Sequence, residues 1–524
     1  MSAPGKLHLL LHAHLPFVRE PDYPRFLEEN WFFEAMAETY LPLVQTLYRL
    51  EEKGIPGCLN LSFSSVLLGM LSDEMLLQKF TCHLHRLNEF IDKELKRLKD
   101  NVTKLEVAEF YKRRLVALMD TWKNRCQFKL IPALKDLEEK GKLNLITCIG
   151  THPFLPAYQS DEEAIRLQLN ITVRAFEEAF GKRPRGVWLP ECGYFNNLDF
   201  LLAEFGFKYF FVETHGVLLA QPSPKYGVFA PIKTPAGLYC FGREQSSSME
   251  VWSRKTGYPG HPEYREFFKD ACREVSPEYL GDYFMAGSTP IETGLKYYRI
   301  TGSEEKQVYR PWNALRLVED HARLFIANRE ATINDLIPHM EGNKACILCP
   351  YDAELFGHWW FEGPLFIEKL FERAAFSNLL DMASLEESIS NSPSECAPVF
   401  SSWGEGGFGE VWMNDEVSWM YPLFFRMRKM QDHLKSKAMH SKMAKRFWCQ
   451  ISREMVLFQA SDWAFMIHNK SAGEYATHRM NEHYKNVCNL YQDAMNGLNN
   501  SGKFDTDLLK KLEIKNNIFP WIGD

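Results

Sequence analysis

Apolar runs that end in polar clusters recur along the chain, at residues 7–14, 58–64, 143–152, 186–192, 209–215 and 345–354. Each reads as a buried strand running into a loop that carries histidines, serines or carboxylates. Between many of them lie stretches with apolar residues three and four apart, the spacing of an amphipathic helix. After Glu191, for instance, Asn197 is placed to cap a helix with Leu198, Leu201, Leu202 and Phe205 on one side, and Gly206 to end it. Strands alternating with helices predict an α/β fold with a parallel sheet. Reactive side chains gathered where strands exit predict a barrel-like arrangement, because sites sit on that face of a barrel.

Three regions depart from this pattern. Residues 71–140 are charged, and Leu84, Leu87, Ile91, Leu95 and Leu98 make one apolar stripe opposite Lys and Glu. They predict a helical insertion that divides a barrel domain of residues 1–70 and 141–410. Residues 215–300 hold few helical patterns but many glycines, prolines and aromatics, and read as a long structured loop of the kind that is often functional in enzymes. Residues 411–524 read as a helical C-terminal domain, with an Asn/Gly/Ser-rich break at 496–502.

Composition narrows the function classes. A chain of 524 residues has room for about three domains, or for one large barrel with additions. Its net charge of −7 and its lack of a long basic run argue against a nucleic-acid partner. No run approaches the roughly 18 apolar residues of a membrane helix. The opening MSAPGKLHLLLHAHLPF, interrupted by three histidines, lacks the form of a signal peptide. Twelve scattered cysteines, several in apolar strands, suit a reducing cytoplasm. Cys346 and Cys349 have CxxC spacing, but inside a strand residues three apart point to opposite faces, so both are expected to be buried structural thiols. His83 and His85, two apart on a helix, do not share a face and are not expected to bind metal.

The chemistry concentrates at two strand exits. Glu191 follows Pro190 at the end of one apolar run. Asp352 and Glu354 follow Pro350 at the end of another, with His358, Trp359 and Trp360 just beyond. Carboxylates from two strand ends, beside flat aromatic surface, are the minimum equipment for glycosidic bond chemistry. Asp352 and Glu354 compete for the second role. In a strand, His8, Leu10, His12 and His14 share one face. Three readings of His12 and His14 stand: histidines satisfied by neighbouring backbone, metal ligands, or groups that recognise sugar hydroxyls and orient a carboxylate. Residues 401–414, SSWGEGGFGEVWMN, place four glycines around Trp403, Phe408 and Trp412, so that the backbone can bend and the aromatics stand proud. QASDWAF adds Asp462 and Trp463.

Taken together, HAHLPF, THPFLP, GVWLPECGY, FFVETHG, GYPGHPEYREFF, LKYYRIT, PYDAELFGHWWFEGP, SSWGEGGFGEVWMN and SDWAF resemble glycoside hydrolase family 57 over nearly the whole chain. The resemblance is strongest to that family's 1,4-α-glucan branching enzymes and their amylase-like relatives. It implies an incomplete (β/α)7 barrel with a helical insertion and a helical C-terminal domain. It implies a retaining mechanism with Glu191 as nucleophile and Asp352 as general acid/base. It also implies His12, His14 and His152 lining the sugar site, and Trp31, Trp360, Trp403, Trp412 and Asp462 in contact with an α-1,4-glucan. No cofactor and no catalytic metal are implied. The loop 234–260 is the expected cover over the site, with Tyr239 and Tyr258 as candidate tyrosines beside Trp252. Ser65, Pro153 and Ala464 depart from the usual residues of the relatives without removing a catalytic group. The alternatives are an α-amylase or 4-α-glucanotransferase of the same family, a metal-dependent deacetylase using His12 and His14, and a glucan-binding protein without catalysis. A monomer or small homo-oligomer in the cytoplasm is expected.

Overall fold

The computed structural model describes residues 3–253, 256–389, 394–438, 440–500 and 502–523. Its strands are β1 (Gly5–Ala13), β2 (Leu59–Ser64), β3 (Leu143–Cys148), β4 (Gly186–Trp188), β5 (Tyr209–Val212), β6 (Ile232–Lys233), β7 (Tyr239–Gly242), β8 (Met285–Ala286), β9 (Thr289–Pro290), β10 (Ala345–Asp352) and β11 (Leu380–Met382). Seven of them run parallel in the order β10-β1-β2-β3-β4-β5-β7, and β6 joins the β7 edge antiparallel. One edge of β1 is shared: Gly5 to Leu7 pair with β11, and Leu10 to Ala13 pair with β2. Strands β8 and β9 form a separate ribbon. The path is open between β10 and β7, where the Glu244 N–H donates to the Leu348 carbonyl at 3.0 Å. This is an incomplete barrel of seven parallel strands with helices around it.

Both faces of the strands are buried, which is why they read as nearly continuous apolar runs. Leu10, Ile146, Cys148, Trp188, Tyr209, Phe211, Phe241, Cys346 and Leu348 fill the interior, with Leu385 packed against them. Their neighbours Leu9, Leu11, Ile347 and Cys349 pack outward in a second cluster. Cys346 and Cys349 therefore do lie on opposite faces, unpaired and buried, and burial pushes both thiols up to about 12. Inside the barrel, His8 is held between the Ala383 carbonyl (3.0 Å) and the Ser388 hydroxyl (2.8 Å).

Between β2 and β3 stand helices Glu74–Arg97, Val102–Asp120 and Leu130–Glu139. Their apolar residues join the same cluster as the outer face of the barrel rather than a core of their own. The Tyr297 hydroxyl donates to Glu94 at 2.7 Å and the Tyr111 hydroxyl to the Lys296 carbonyl at 2.9 Å, tying these helices to the 290s strap. His83 faces inward, stacked on Phe33, and its burial drives the imidazole down to about 3. The helix after Glu191 spans Leu198–Glu204, but Asn197 does not cap it with its side chain. At φ 72° Asn197 supplies the left-handed turn that starts the helix, and Gly206 at φ 88° ends it.

Residues 411–419 are turns, and the C-terminal helices are Met420–Ala438, Lys442–Phe458, Ser461–His468, Gly473–Asn499 and Asp507–Lys515. The buried Glu454 carboxylate joins them, with hydrogen bonds to His483 (2.7 Å), Gln450 (2.8 Å), Asn486 (3.1 Å) and Asn516 (2.7 Å). Helix Ser461–His468 begins at the barrel mouth, where the Ser461 N–H donates to the His152 carbonyl at 2.8 Å. Among the described residues no helix is long and apolar enough to cross a membrane.

Candidate active site

The carboxyl ends of the parallel strands bring their polar side chains together in one cluster. β1 brings His12 and, just past its end, His14. β2 brings Ser62 and Ser64, and the turn after β3 brings His152. The turn after β4 brings Glu191, Arg243 and Glu244 follow β7, and β10 ends in Asp352 with Glu354 beyond. Two of these positions and one neighbour sit in turns that L-residues seldom adopt: His152 at φ 64°, Glu191 at φ 60° and the adjoining Cys192 at φ 52°. Left-handed backbone at non-glycine residues costs free energy, and it clusters where side chains must be aimed.

Glu191 is buried, and both of its oxygens are held. The Trp403 indole N–H donates to Oε2 at 2.6 Å and the Ser461 hydroxyl donates to Oε1 at 2.7 Å. The Trp403 backbone N–H also donates to the Glu191 carbonyl at 2.9 Å. Burial raises the carboxyl to about 7, against the pull of those two donors. Asp352 is raised well above the ordinary carboxylate range, by burial first and then by the charges of Glu354 and Glu191. Its side chain stays partly exposed. Glu354 is raised to about 7 by burial, while the Tyr40 hydroxyl and the His14 N–H (3.3 Å) bond to its Oε1. Of the two acids that β10 delivers, Glu354 is thus tied down, whereas no described donor bonds to Asp352. Arg243, paired with Glu213 at 3.0 Å, is the cation that opposes the rise of Asp352.

The histidines form one stack. The His14 ring lies 3.9 Å from that of His152, and the His12 ring 4.6 Å from the Trp188 indole, both nearly parallel. His12 Nε2 meets His152 Nε2 at 3.0 Å, and His152 Nδ1 meets the Ser461 hydroxyl at 2.7 Å. His12 Nδ1 lies 3.4 Å from the Ser62 hydroxyl. His14 bridges the Ser64 hydroxyl (2.8 Å) and Asp462 (3.0 Å). Burial lowers His12 and His152 well below the usual imidazole value, with the charge of His14 adding to it. His14, His152 and Asp462 offer ligand atoms close enough for one ion, as do His12, Cys148 and His152. The histidine and carboxylate groups among them are already bonded to one another or to serines, so gathering them on a metal would break those bonds.

Not every aromatic expected at the site is there. Trp360 is 1% exposed, packed on Phe366 and Tyr264, and Trp412 is 2% exposed, stacked on Phe154 at 4.9 Å. Both are core, with no ring face open to a sugar. The exposed member of the tryptophan pair is Trp359, 54% exposed and stacked on Phe267 at 4.3 Å. Of the aromatics in the glycine-rich segment, Phe408 stands out into solvent, while Trp403 turns inward to Glu191. Tyr258 is also buried. Its hydroxyl donates to Glu250 at 2.8 Å and its ring stacks on His321, away from the pocket. Tyr239 lies in β7, packed against the barrel interior. From the expected cover it is Trp252, 37% exposed, that reaches the site, edge-on to Trp403 at 6.3 Å. Residues 254 and 255 of that loop lie outside the described residues. Trp31 meets Tyr475 edge-on at 5.5 Å, and Tyr475 meets Trp463, next to Asp462. Sequence reasoning missed Ser461, Tyr40, Arg243, Trp188, Ser62 and Ser64. The two serines carried a signal, since they alternate at the end of strand LNLSFS on one face.

Comparison with known proteins fits this geometry. Residues 8–398 match the family model described as glycosyl hydrolase family 57, and residues 425–523 match that of the 1,4-alpha-glucan branching enzyme C-terminal region. A 1,4-alpha-glucan branching enzyme of Thermococcus kodakarensis is 31% identical over 98% of this chain and 77% of its own. The crystal structure of an α-amylase of Thermotoga maritima, AmyC, superposes with a TM-score of 0.90 at 37% identity, covering 98% of this chain and 97% of that one. That of a GH57-type branching enzyme from Pyrococcus horikoshii superposes with a TM-score of 0.88 at 31% identity, covering 99% and 96%. The incomplete seven-stranded barrel, the paired carboxyls at its mouth and the family match over most of its length agree: the chain belongs to glycosyl hydrolase family 57.

Proposed function

We propose that this enzyme is a retaining 1,4-α-glucan branching enzyme, which cleaves an α-1,4 linkage and transfers the chain to a 6-hydroxyl. The observation that carries this reading is the match of residues 425–523 to the branching-enzyme C-terminal region, in a chain whose catalytic half belongs to family 57. The names of the relatives in Thermococcus and Pyrococcus support it.

The chemistry follows from how the two carboxyls are treated. Glu191 receives two hydrogen-bond donors, which favour its ionised form. Asp352 receives none from the described residues and faces the carboxyls of Glu354, Glu191 and Asp462, which favour its protonated form. Environments that push two acids apart assign their roles. Glu191 attacks the anomeric carbon as Asp352 gives its proton to the departing glycosidic oxygen. Asp352, now the base, takes the proton of an incoming 6-hydroxyl, whose oxygen displaces Glu191 and retains the configuration. His12, His14, His152 and Asp462 line the sugar site beside the reacting carbon, and Trp31, Trp252 and Trp403 give the glucan its flat surface. Transfer exceeds hydrolysis to the extent that the acceptor is held and water kept out. The buried thiols of the barrel strands, Cys148, Cys240, Cys346 and Cys349, support a reducing compartment such as the cytoplasm.

Hydrolysis is the second reading, because AmyC, at 37% identity, is named an α-amylase. Proton NMR of amylose treated with the purified enzyme separates the two. Branching gives new α-1,6 anomeric signal without a matching rise in reducing ends. Reducing ends without α-1,6 signal would overturn the branching reading in favour of hydrolysis.

A further inference from the structure

Glu191 closes a line of hydrogen bonds that begins deep in β2. Ser62 Oγ, His12, His152, Ser461 Oγ and Glu191 Oε1 are linked at 3.4, 3.0, 2.7 and 2.7 Å. Both imidazoles are buried and disfavour a positive charge, so each carries a single N–H. A hydroxyl has one hydrogen to give. With Glu191 ionised, the Ser461 hydrogen must go to the carboxylate. His152 must then donate to Ser461 from Nδ1, which leaves its Nε2 as acceptor. His12 must donate from Nε2, and its Nδ1 accepts from Ser62. Every hydrogen in the line is fixed by the charge at one end.

We propose that Ser461 is a positioning residue for the nucleophile, completing a one-way hydrogen-bond chain from Ser62 through His12 and His152 whose direction follows the charge on Glu191. When Glu191 carries a proton, the chain runs the other way. Glu191 donates to Ser461, Ser461 to His152 Nδ1, His152 Nε2–H to His12 Nε2, and His12 Nδ1–H to Ser62. The second arrangement holds one more hydrogen than the first, the one on Glu191. Each imidazole keeps one N–H, on its other nitrogen. No charge enters the histidine pair in either state, so two buried imidazoles stay neutral while the carboxyl titrates.

The line aims the carboxylate as well. Ser461 is the first residue of its helix, and its N–H is held by the His152 carbonyl at 2.8 Å. The hydroxyl is therefore fixed from two sides, by backbone and by imidazole. The other titratable groups facing Glu191 are His14 from β1, Cys148 from β3, Cys192 from its own turn, Asp352 from β10 and Asp462 from the helix of Ser461. The proposal rests on the reading of Glu191 as nucleophile.

The test is nitrogen NMR of the full-length enzyme labelled with ¹⁵N-histidine. Above the acid limb of activity, His152 is expected as the Nδ1–H tautomer and His12 as the Nε2–H tautomer. The opposite tautomers, or a mixture of both forms, would overturn the chain, and this needs no variant. Ser461→Ala should move the acid limb of kcat/KM upward by about one unit, because the ionised carboxylate loses a donor, and Ser461→Thr should restore it. An unmoved limb would count against the chain equally. The tautomers are read without substrate, so loss of α-1,6 product with the expected tautomers strikes the branching reading alone. Wrong tautomers with intact branching strike the chain alone.

Discussion

In the proposed mechanism Glu191 works as an ionised carboxylate, yet burial lifts its carboxyl to about 7. Activity should therefore rise through pH 7 from the acid side and fall at higher pH as Asp352 loses its proton, measured as kcat/KM against pH. The same shift has a cost in stability. A carboxyl whose folded value is raised binds protons more tightly when folded, so the folded state loses stability as pH climbs from the ordinary value of 4.5 to about 7, and the penalty is complete above that. Glu191→Gln should then melt higher than wild type at pH 8, by on the order of 2 kcal/mol, with the gain absent at pH 4. Its kcat should fall on the order of 10⁴-fold or more. Equal melting curves at pH 8 would show that the carboxyl is less strained than its burial implies. The exits at Glu191 and Asp352 were legible in the sequence because an apolar run led straight into each acid. Ser461 was not, since it acts on a residue 270 positions away through the docking of its helix on His152.

Individual elements hold these groups through close approaches. The π-helix Ala35–Tyr40 touches the segment after β10 at two points. Glu38 pairs with His358 at 2.7 Å, and Tyr40 bonds to Glu354. Between them, Gly357 at φ 123° brings its backbone so near that an added Cβ would sit 1.9 Å from the Glu38 carbonyl oxygen. Gly357→Ala should cost about 3 kcal/mol or more by chemical denaturation, and a loss below about 1 kcal/mol would contradict the close packing. Among the C-terminal helices, Glu454→Ala strands His483, Asn486 and Asn516 in the core and should cost about 3–5 kcal/mol by the same measurement. Strand and helix types were readable from periodicity, because burial on two faces or one leaves a pattern. Which tryptophan faces water was not readable. Trp359 and Trp360 are adjacent, and only the turn between Phe356 and Gly363 decides that one is exposed and the other packed.

Across the molecule, the pocket is a joint product of distant parts of the chain. The barrel supplies Glu191 and Asp352, while Ser461 and Asp462 come from the C-terminal helices and Trp403 from the glycine-rich segment before them. A protein ending at residue 410 keeps Glu191 and Asp352 but loses Ser461 and the apolar cover of the second core cluster. It should be inactive and should bind the apolar dye ANS, whereas a folded and active fragment would contradict this division of labour. The alternation of strands and helices made the barrel visible in the sequence. The insertion was visible as a charged helical stretch, but not its sharing of the outer core of the barrel, which depends on packing between residues far apart in the chain.

The central claim is that Glu191 forms a covalent glycosyl-enzyme and Asp352 moves the protons. Incubating Asp352→Asn with α-maltosyl fluoride tests it most directly. Fluoride leaves without a proton donor, so the first step survives, while the second lacks its base. The account predicts that mass spectrometry finds a maltosyl increment on the peptide containing Glu191. An unlabelled Glu191 peptide, with the donor hydrolysed to the inverted sugar, would contradict it.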